Sequence, residues 1–263
     1  MRIICPVKRV PDTAAEKKVS DDLTVDRDSG EAILNANDEW SIEEAMRVKE
    51  NGSDVEVIAL CMGPDSAQQT VRKALSYGLD GAIQVTDPAI SGSDATATAR
   101  VLAAALKDED WDLIIMGNQS SDARSMLVPA MLAEYLDVPA LTYTKRLQVG
   151  DDGSVEVDRE TSGGHETVQA KMPAVVSVVE AINEPRYPSF KGIMAAKKKP
   201  LDTKDLAAIG LSADQVGHAG SATQILEATP KPPKQAGDKI EDDGSGQVGA
   251  KALVDFLVAK KFI

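Results

Sequence analysis

Four short apolar runs, at residues 2–7, 55–61, 82–85 and 113–116, are separated by stretches with helical spacing, and this alternation admits few folds. Each run is apolar at consecutive positions, as a strand covered on both faces must be. Between the runs, 39–49 carries Ile42, Ala45 and Met46 on one face, with acidic residues in its early turns. Residues 66–77 bring Val71, Ala74 and Leu75 together, and 94–106 align Thr98, Val101, Leu102 and Ala105 behind Ser93 or Asp94 as N-cap. A fourth helix is expected over 125–135. Strands alternating with helices predict an α/β fold: a doubly wound, mostly parallel nucleotide-binding sheet.

The pattern changes after residue 140. Residues 141–144, 146–149, 154–159 and 166–171 alternate polar with apolar, and Asp151-Asp-Gly153 supplies a turn. An antiparallel hairpin extension with one solvated face is expected there. A valine-rich run at 174–179 then returns as a central strand. Beyond Pro200 the periodicity fades, with loop signals at 231–234 and 242–246, until 250–260 place Leu253, Phe256 and Leu257 on one helical face. Such a tail cannot close its own core and is expected as an arm on another surface. The expected divisions are therefore 1–182, 183–200 and 201–263.

Residues 183–200 hold five basic residues against one acidic, inside a chain of net charge −13. Pro185 and Pro188 lack backbone donors and exclude regular structure at Glu184 and Tyr187. Tyr187, Phe190, Ile193 and Met194 make the segment too apolar for a linker. Two readings stay open on these residues alone: a loop that touches a partner, or one that packs its aromatics on its own domain.

The acidic charge argues against nucleic acid or an anionic membrane as the main partner. No apolar run approaches the ~18 residues of a membrane span. A strand directly at the N-terminus leaves no room for a leader, and Cys5 and Cys61 read as buried reduced thiols, so a cytoplasmic protein is expected. No nucleophile–base pair or metal-ligand set stands out, which points away from an enzyme.

In a doubly wound sheet, ligands lie beyond the carboxyl ends of the strands, where the strand order switches. Three loops should converge there: 6–9, 35–38 and 117–125. The last combines a glycine, amides, hydroxyls and a helix N-terminus, the ingredients of a phosphate cradle. Ser120, Ser121 and Ser125 are candidates to cap the helix or bind phosphate, with Arg124 as counter-charge. A plain capped surface loop is the alternative reading.

The valine-rich strand followed by Asn183-Glu-Pro-Arg-Tyr187 and Gly192-Ile-Met-Ala-Ala-Lys-Lys-Lys199 resembles the signature region of the beta subunit of electron transfer flavoprotein. The likeness extends to Val7-Lys-Arg-Val-Pro-Asp12, Ile42-Glu-Glu-Ala45, the Gly63-Pro64 turn, and Arg72-Lys-Ala-Leu75 with Gly78, and covers essentially the whole chain. It implies a subunit whose C-terminal extension wraps an alpha subunit, with the redox FAD held mainly by alpha. It also implies electrons received from acyl-CoA-type dehydrogenases of fatty acid oxidation and passed to a membrane quinone oxidoreductase. An adenine nucleotide is implied in the beta subunit, AMP in most members and a second FAD in the electron-bifurcating branch. The matching positions are Pro6, Asn35, Asn37, Asp38, Met62, Gly117, Gln119, Asp122, Ser125 and Val128.

At 122–129 the chain departs from both patterns: it lacks the second aspartate, threonine and glutamine of the bifurcating type and the Asn-Gln-Thr of the AMP type. The departure favours structural AMP over a second FAD. A stand-alone stress-type nucleotide-binding module is the other alternative, and it has no use for the 183–199 segment. By the same resemblance Arg186, Tyr187, Pro188, Ser189, Phe190 and Lys191 form a partner-recognition loop, with Phe190 where relatives carry leucine. Arg186, Lys191 and the lysines at 197–199 would steer it toward an acidic partner surface, while Glu160 would orient the mobile flavin domain.

Overall fold

The computed structural model describes residues 1–14, 18–27, 30–229, 232, 236–237 and 239–263. They form two compact units, 1–228 and 229–263. Of the expected loop at 231–234, only Pro232 lies within the described residues.

The first unit begins with strand β1 (Arg2–Val7), followed by a small antiparallel ribbon of β2 (Arg9–Pro11) and β3 (Ala32–Leu34). Helix α1 (Ala36–Asn51), β4 (Glu56–Met62), α2 (Gln68–Leu75), β5 (Gly81–Val85), α3 (Ala95–Leu106), β6 (Leu113–Gly117) and α4 (Val128–Leu136) then alternate as expected. The chain continues through β7 (Ala140–Val149), β8 (Ser154–Thr161), β9 (Gly164–Lys171), β10 (Ala174–Val178), α5 (Phe190–Ala196), β11 (Leu201–Lys204) and α6 (Gly217–Gly220). Nine strands form one sheet in the order β11-β5-β4-β1-β6-β10-β7-β8-β9. It is parallel from β11 to β7, then antiparallel through β8 and β9.

Alternate side chains of the central strands enter opposite layers, as a strand's two-residue period requires. Ile3, Cys5, Val57, Ala59 and Cys61 pack beneath α1 and α2, meeting Ile42, Ala45, Met46, Val71, Ala74 and Leu75. Ile4, Ile58, Leu60 and Ile114 face the other way, toward Val101, Leu102 and Ala105 of α3 and Leu132 of α4. A fully buried Leu or Ile contributes roughly 1.5–3 kcal/mol, against about 1 kcal/mol or less for an exposed ion pair. The apolar alternation, not the surface charge, therefore fixes this architecture. Both cysteines are buried and free, and burial pushes both thiols up, that of Cys61 to about 12.

Three local expectations change and one is met in a longer form. The helix expected from residue 125 starts at Val128, because Arg124 and Met126 adopt left-handed backbone (φ 51° and 58°) that no helix can contain. The antiparallel extension expected after residue 140 is present and runs to two consecutive hairpins, β7–β8 and β8–β9, a three-stranded meander joined to the main sheet where β7 pairs in parallel with β10. The segment after Pro188 is not all loop: Ser189 Oγ accepts from the Gly192 N–H at 3.0 Å and caps α5. Finally, 201–228 do not leave with the tail. Strand β11 pairs with β5, and Leu206, Ile209 and Val216 are buried in the same core as Ile4.

In the second unit α7 (Gln247–Ala259) follows a turn in which Asp242 accepts from the N–H groups of Gly244, Gly246 and Gly249 at 2.7–3.0 Å. None of its residues is buried; Leu253, Phe256 and Val258 are all more than half exposed. Among the described residues, no helix is long and apolar enough to cross a membrane.

Candidate functional site

Strand order reverses between β1 and β6: the chain fills one side of β1 with β4 and β5, then returns to the other side with β6. The loops leaving the carboxyl ends of these strands diverge there, and a cleft of about 1680 Å³ opens. Pro6, Asn35, Asp38, Met62, Gly117, Gln119, Ser125 and Val128 all line it. Asn37 and Asp122, expected in the same set, do not.

Asn35 ties the three loops together. Its Nδ2 donates to Asp38 Oδ1 (2.8 Å) and to the Gln119 carbonyl (3.0 Å), while its Oδ1 accepts from the Ser121 N–H (3.0 Å). Asp38, in the first turn of α1, also accepts from the Lys8 N–H at 2.7 Å. Burial pushes its carboxyl up to about 7, against the opposing pull of Asn35 and the Lys8 backbone. Gly117 is required by closeness, not by φ: a Cβ there would fall 2.7 Å from Asp38 Oδ1 and 2.8 Å from the Asn37 backbone carbon. Gly117→Ala is therefore expected to cost about 1–3 kcal/mol by overpacking, seen as a drop of several degrees in the thermal midpoint. An unchanged midpoint would mean the β6–α1 junction tolerates a methyl group.

Asp122 works inside the protein. Its carboxylate, 1% exposed, meets Lys8 Nζ at 2.8 Å and Arg27 Nη2 at 2.8 Å. Burial opposes its ionisation, yet the charge and hydrogen bond of Lys8 and the charge of Arg27 hold it well below the usual carboxylate range. Lys8 also reaches Ser120 Oγ at 3.2 Å. Arg124, expected as a counter-charge, is not in the cleft lining; its Nε donates to the Ser121 carbonyl at 3.3 Å.

Two features at this end stand out among the described residues. Gln119 Oε1 is buried without a hydrogen-bond partner, and α4 begins with no side-chain cap. A helix start offers unsatisfied N–H groups and partial positive charge; in α4 these are the N–H groups of Val128 and Ala130, since Pro129 has none. The arrangement suits a ligand with a phosphate at α4 and a donor for Gln119.

The opposite rim was not anticipated from sequence. Asp94 Oδ1 caps α3 through the Ala97 N–H, while Oδ2 accepts from the N–H groups of Ala222 and Thr223 at 2.9 Å. This brings 221–225 into the lining of the cleft, to which 20–27 also contribute. The cap signal at Asp94 was readable; its second set of partners, 128 or more residues away, was not.

The expected recognition segment is clamped to α1. Asn183 Nδ2 donates to the Trp40 carbonyl and to Glu44 Oε2, both at 3.0 Å. Arg186 meets Glu43 through Nε (2.7 Å) and Nη2 (3.1 Å), and Glu50 through both terminal nitrogens. Tyr187 and Phe190 instead project into solvent, 95% and 79% exposed. Lys191 is exposed beside them and Pro188 is half-buried. Lys199 turns inward to the Leu79 carbonyl, and burial lowers its basicity. Arg186 and Lys199 are thus internal anchors, leaving Lys191, Lys197 and Lys198 as the outward charges. Glu160 is exposed on the meander, 3.4 Å from Lys145 Nζ.

The family model described as "Electron transfer flavoprotein domain" matches residues 22–209. The chain is similar to a protein of Mycobacterium leprae named electron transfer flavoprotein subunit beta, 45% identical over 99% of each chain. A protein of Megasphaera elsdenii with the same name is 34% identical over the full length of both. A protein of Acetobacterium woodii named caffeyl-CoA reductase-Etf complex subunit CarD is 33% identical, again over the full length of both.

Proposed function

Since the chain belongs to the electron transfer flavoprotein family, as a beta subunit, we propose that it is the nucleotide-holding, partner-docking half of an electron-carrying heterodimer with structural AMP in its cleft. As a beta subunit it works beside an alpha subunit in a complex that contains FAD. The observation that carries the AMP reading is the unpartnered Gln119 Oε1 beside the uncapped start of α4, in a cleft at the switch point. Gly117 and Met62 would flank the nucleotide, Gln119 would accept from it, and the N–H groups at the start of α4 would take its phosphate. Asn35, Asp38 and the Lys8–Asp122–Arg27 group hold those loops in place.

FAD, held mainly by alpha, would supply the electron chemistry; protein groups would position it and set its potential. This chain does no bond-making of its own in that scheme and is a carrier rather than an enzyme. Acyl-CoA-type dehydrogenases would donate electrons and a membrane quinone oxidoreductase would accept them in the cytoplasmic compartment. The C-terminal segment would lie on alpha, and Tyr187 and Phe190 would meet the dehydrogenase.

Heat-denatured heterodimer is expected to release one AMP and one FAD per complex, counted by chromatography of the supernatant. Two FAD and no AMP would place the chain in the bifurcating branch, despite the residues it lacks at 122–129. Release of no mononucleotide would end the AMP assignment.

A further inference from the structure

We infer that Arg186 is a positioning residue: locked to Glu43 and Glu50 of α1, it fixes the direction in which Tyr187 and Phe190 project, and so sets how productively the heterodimer meets its electron donor. The inference rests on the docking reading given above, but it assigns Arg186 a different task from contact with the partner.

Its guanidinium uses Nε, Nη1 and Nη2 on two carboxylates of one helix face, and its own backbone N–H donates to Glu43 Oε2 at 3.2 Å. Glu43 is only 5% exposed. Burial alone would raise its carboxyl, but the hydrogen bonds and charge of Arg186 draw it below the ordinary value. A planar, bidentate cation between two carboxylates holds both distance and angle, which a lysine cannot do. Three residues upstream, Asn183 is fastened to the same face of α1.

On the far side, Gly192 stands where a Cβ would lie 2.4 Å from the Ser76 carbonyl, and Arg72 donates to the carbonyls of Ala196 (2.9 Å) and Lys199 (2.7 Å). The exposed aromatics thus occupy a short span fastened at both ends. Pro185 and Pro188 stiffen what lies between. Tyr187 is the residue directly after the clamp, so release of Arg186 acts first on the docking side chains.

The test is a mutant cycle on the intact heterodimer, with reduction followed in the presence of an acyl-CoA dehydrogenase from the same genome. Arg186→Gln and Glu43→Gln are each expected to raise the apparent KM about tenfold with kcat unchanged, less than outright loss of the Phe190 anchor because the side chain is misdirected and not removed. The double variant should be no worse than either alone, because the two groups act as a unit. In a Phe190→Ala background, Arg186→Gln should add clearly less than its own tenfold, because only Tyr187 is left for it to direct. Reduction by dithionite should be the same in all variants.

A defect in Arg186→Gln with Glu43→Gln unaffected would overturn the inference, since an arginine that touches the partner survives loss of its internal mate. Additive losses with Phe190→Ala would overturn it as well. Phe190→Ala with wild-type kinetics would instead remove the docking reading itself, and is told apart because that variant leaves the Arg186 clamp intact.

Discussion

Deletion of residues 229–263 is expected to leave a folded, nucleotide-competent first unit that no longer holds the alpha subunit. The cut belongs after Ala228 and not after Pro200. Residues 201–204 supply the edge strand β11, and Leu206, Ile209 and Val216 fill the core, so an earlier cut would damage the domain it is meant to isolate. Both hydrophobic clusters are built from residues up to Val216. In the deleted segment Leu253, Val254, Phe256 and Val258 are all at least half exposed. Interface anchors of this kind commonly carry ~2 kcal/mol each, so loss of two or more predicts at least 100-fold weaker association. The measurement is co-elution with alpha on a sizing column at micromolar concentration. Co-elution of the shortened chain as a stable complex would show that the arm is not what holds the pair together.

Phe190→Ala is expected to slow reduction by the dehydrogenase roughly 30-fold at subsaturating flavoprotein, equivalent to ~2 kcal/mol. Flavin content, AMP content and dithionite reduction should not change. The exposure of Phe190 makes this a clean substitution, because at 79% exposed it contributes little to the fold. Phe190→Leu, which keeps a large apolar side chain, should recover most of the rate if the partner pocket accepts either side chain. Unaltered kinetics in Phe190→Ala would show that the dehydrogenase docks elsewhere.

Much of the first unit was readable from the order of residues. The central strands lie within about two residues of their expected limits, because continuous apolar runs have few other places to go. Helix α1 was likewise announced by Ile42, Ala45 and Met46, all buried. Strand β11 was not, since Leu-Asp-Thr-Lys at an edge is half solvated and its pairing depends on a neighbour more than 110 residues earlier. The cleft was legible where it used local signals, as at Gly117 and the 35–38 turn. It was illegible where long-range pairing decides the outcome. Nothing local in Asp122 says that Lys8 and Arg27 will occupy it, and nothing near Arg186 names Glu43, 143 residues before it, as its mate. Charge counting over 183–200 therefore overstated how much positive charge faces outward.

The position of β1 in the sheet has a consequence for how the chain is made. Its neighbours are β4 on one side and β6 on the other, and β10 must then join β6 before that half of the sheet is covered. Strand β1 thus waits for residues 113–117 to pair with it, and they in turn wait for 174–178. At about 5–20 residues per second, the side of β1 reserved for β6 stays without its partner for roughly 5–20 seconds. Strand β5 waits similarly for β11. Contacts of such long sequence separation slow folding, because the loop entropy must be spent before the contact forms. Until then the apolar edge of β1, Ile3 and Ile4 included, lacks its β6 neighbours Leu113 and Ile114. Refolding of the isolated first unit is therefore expected to be slower than its helix content alone would suggest.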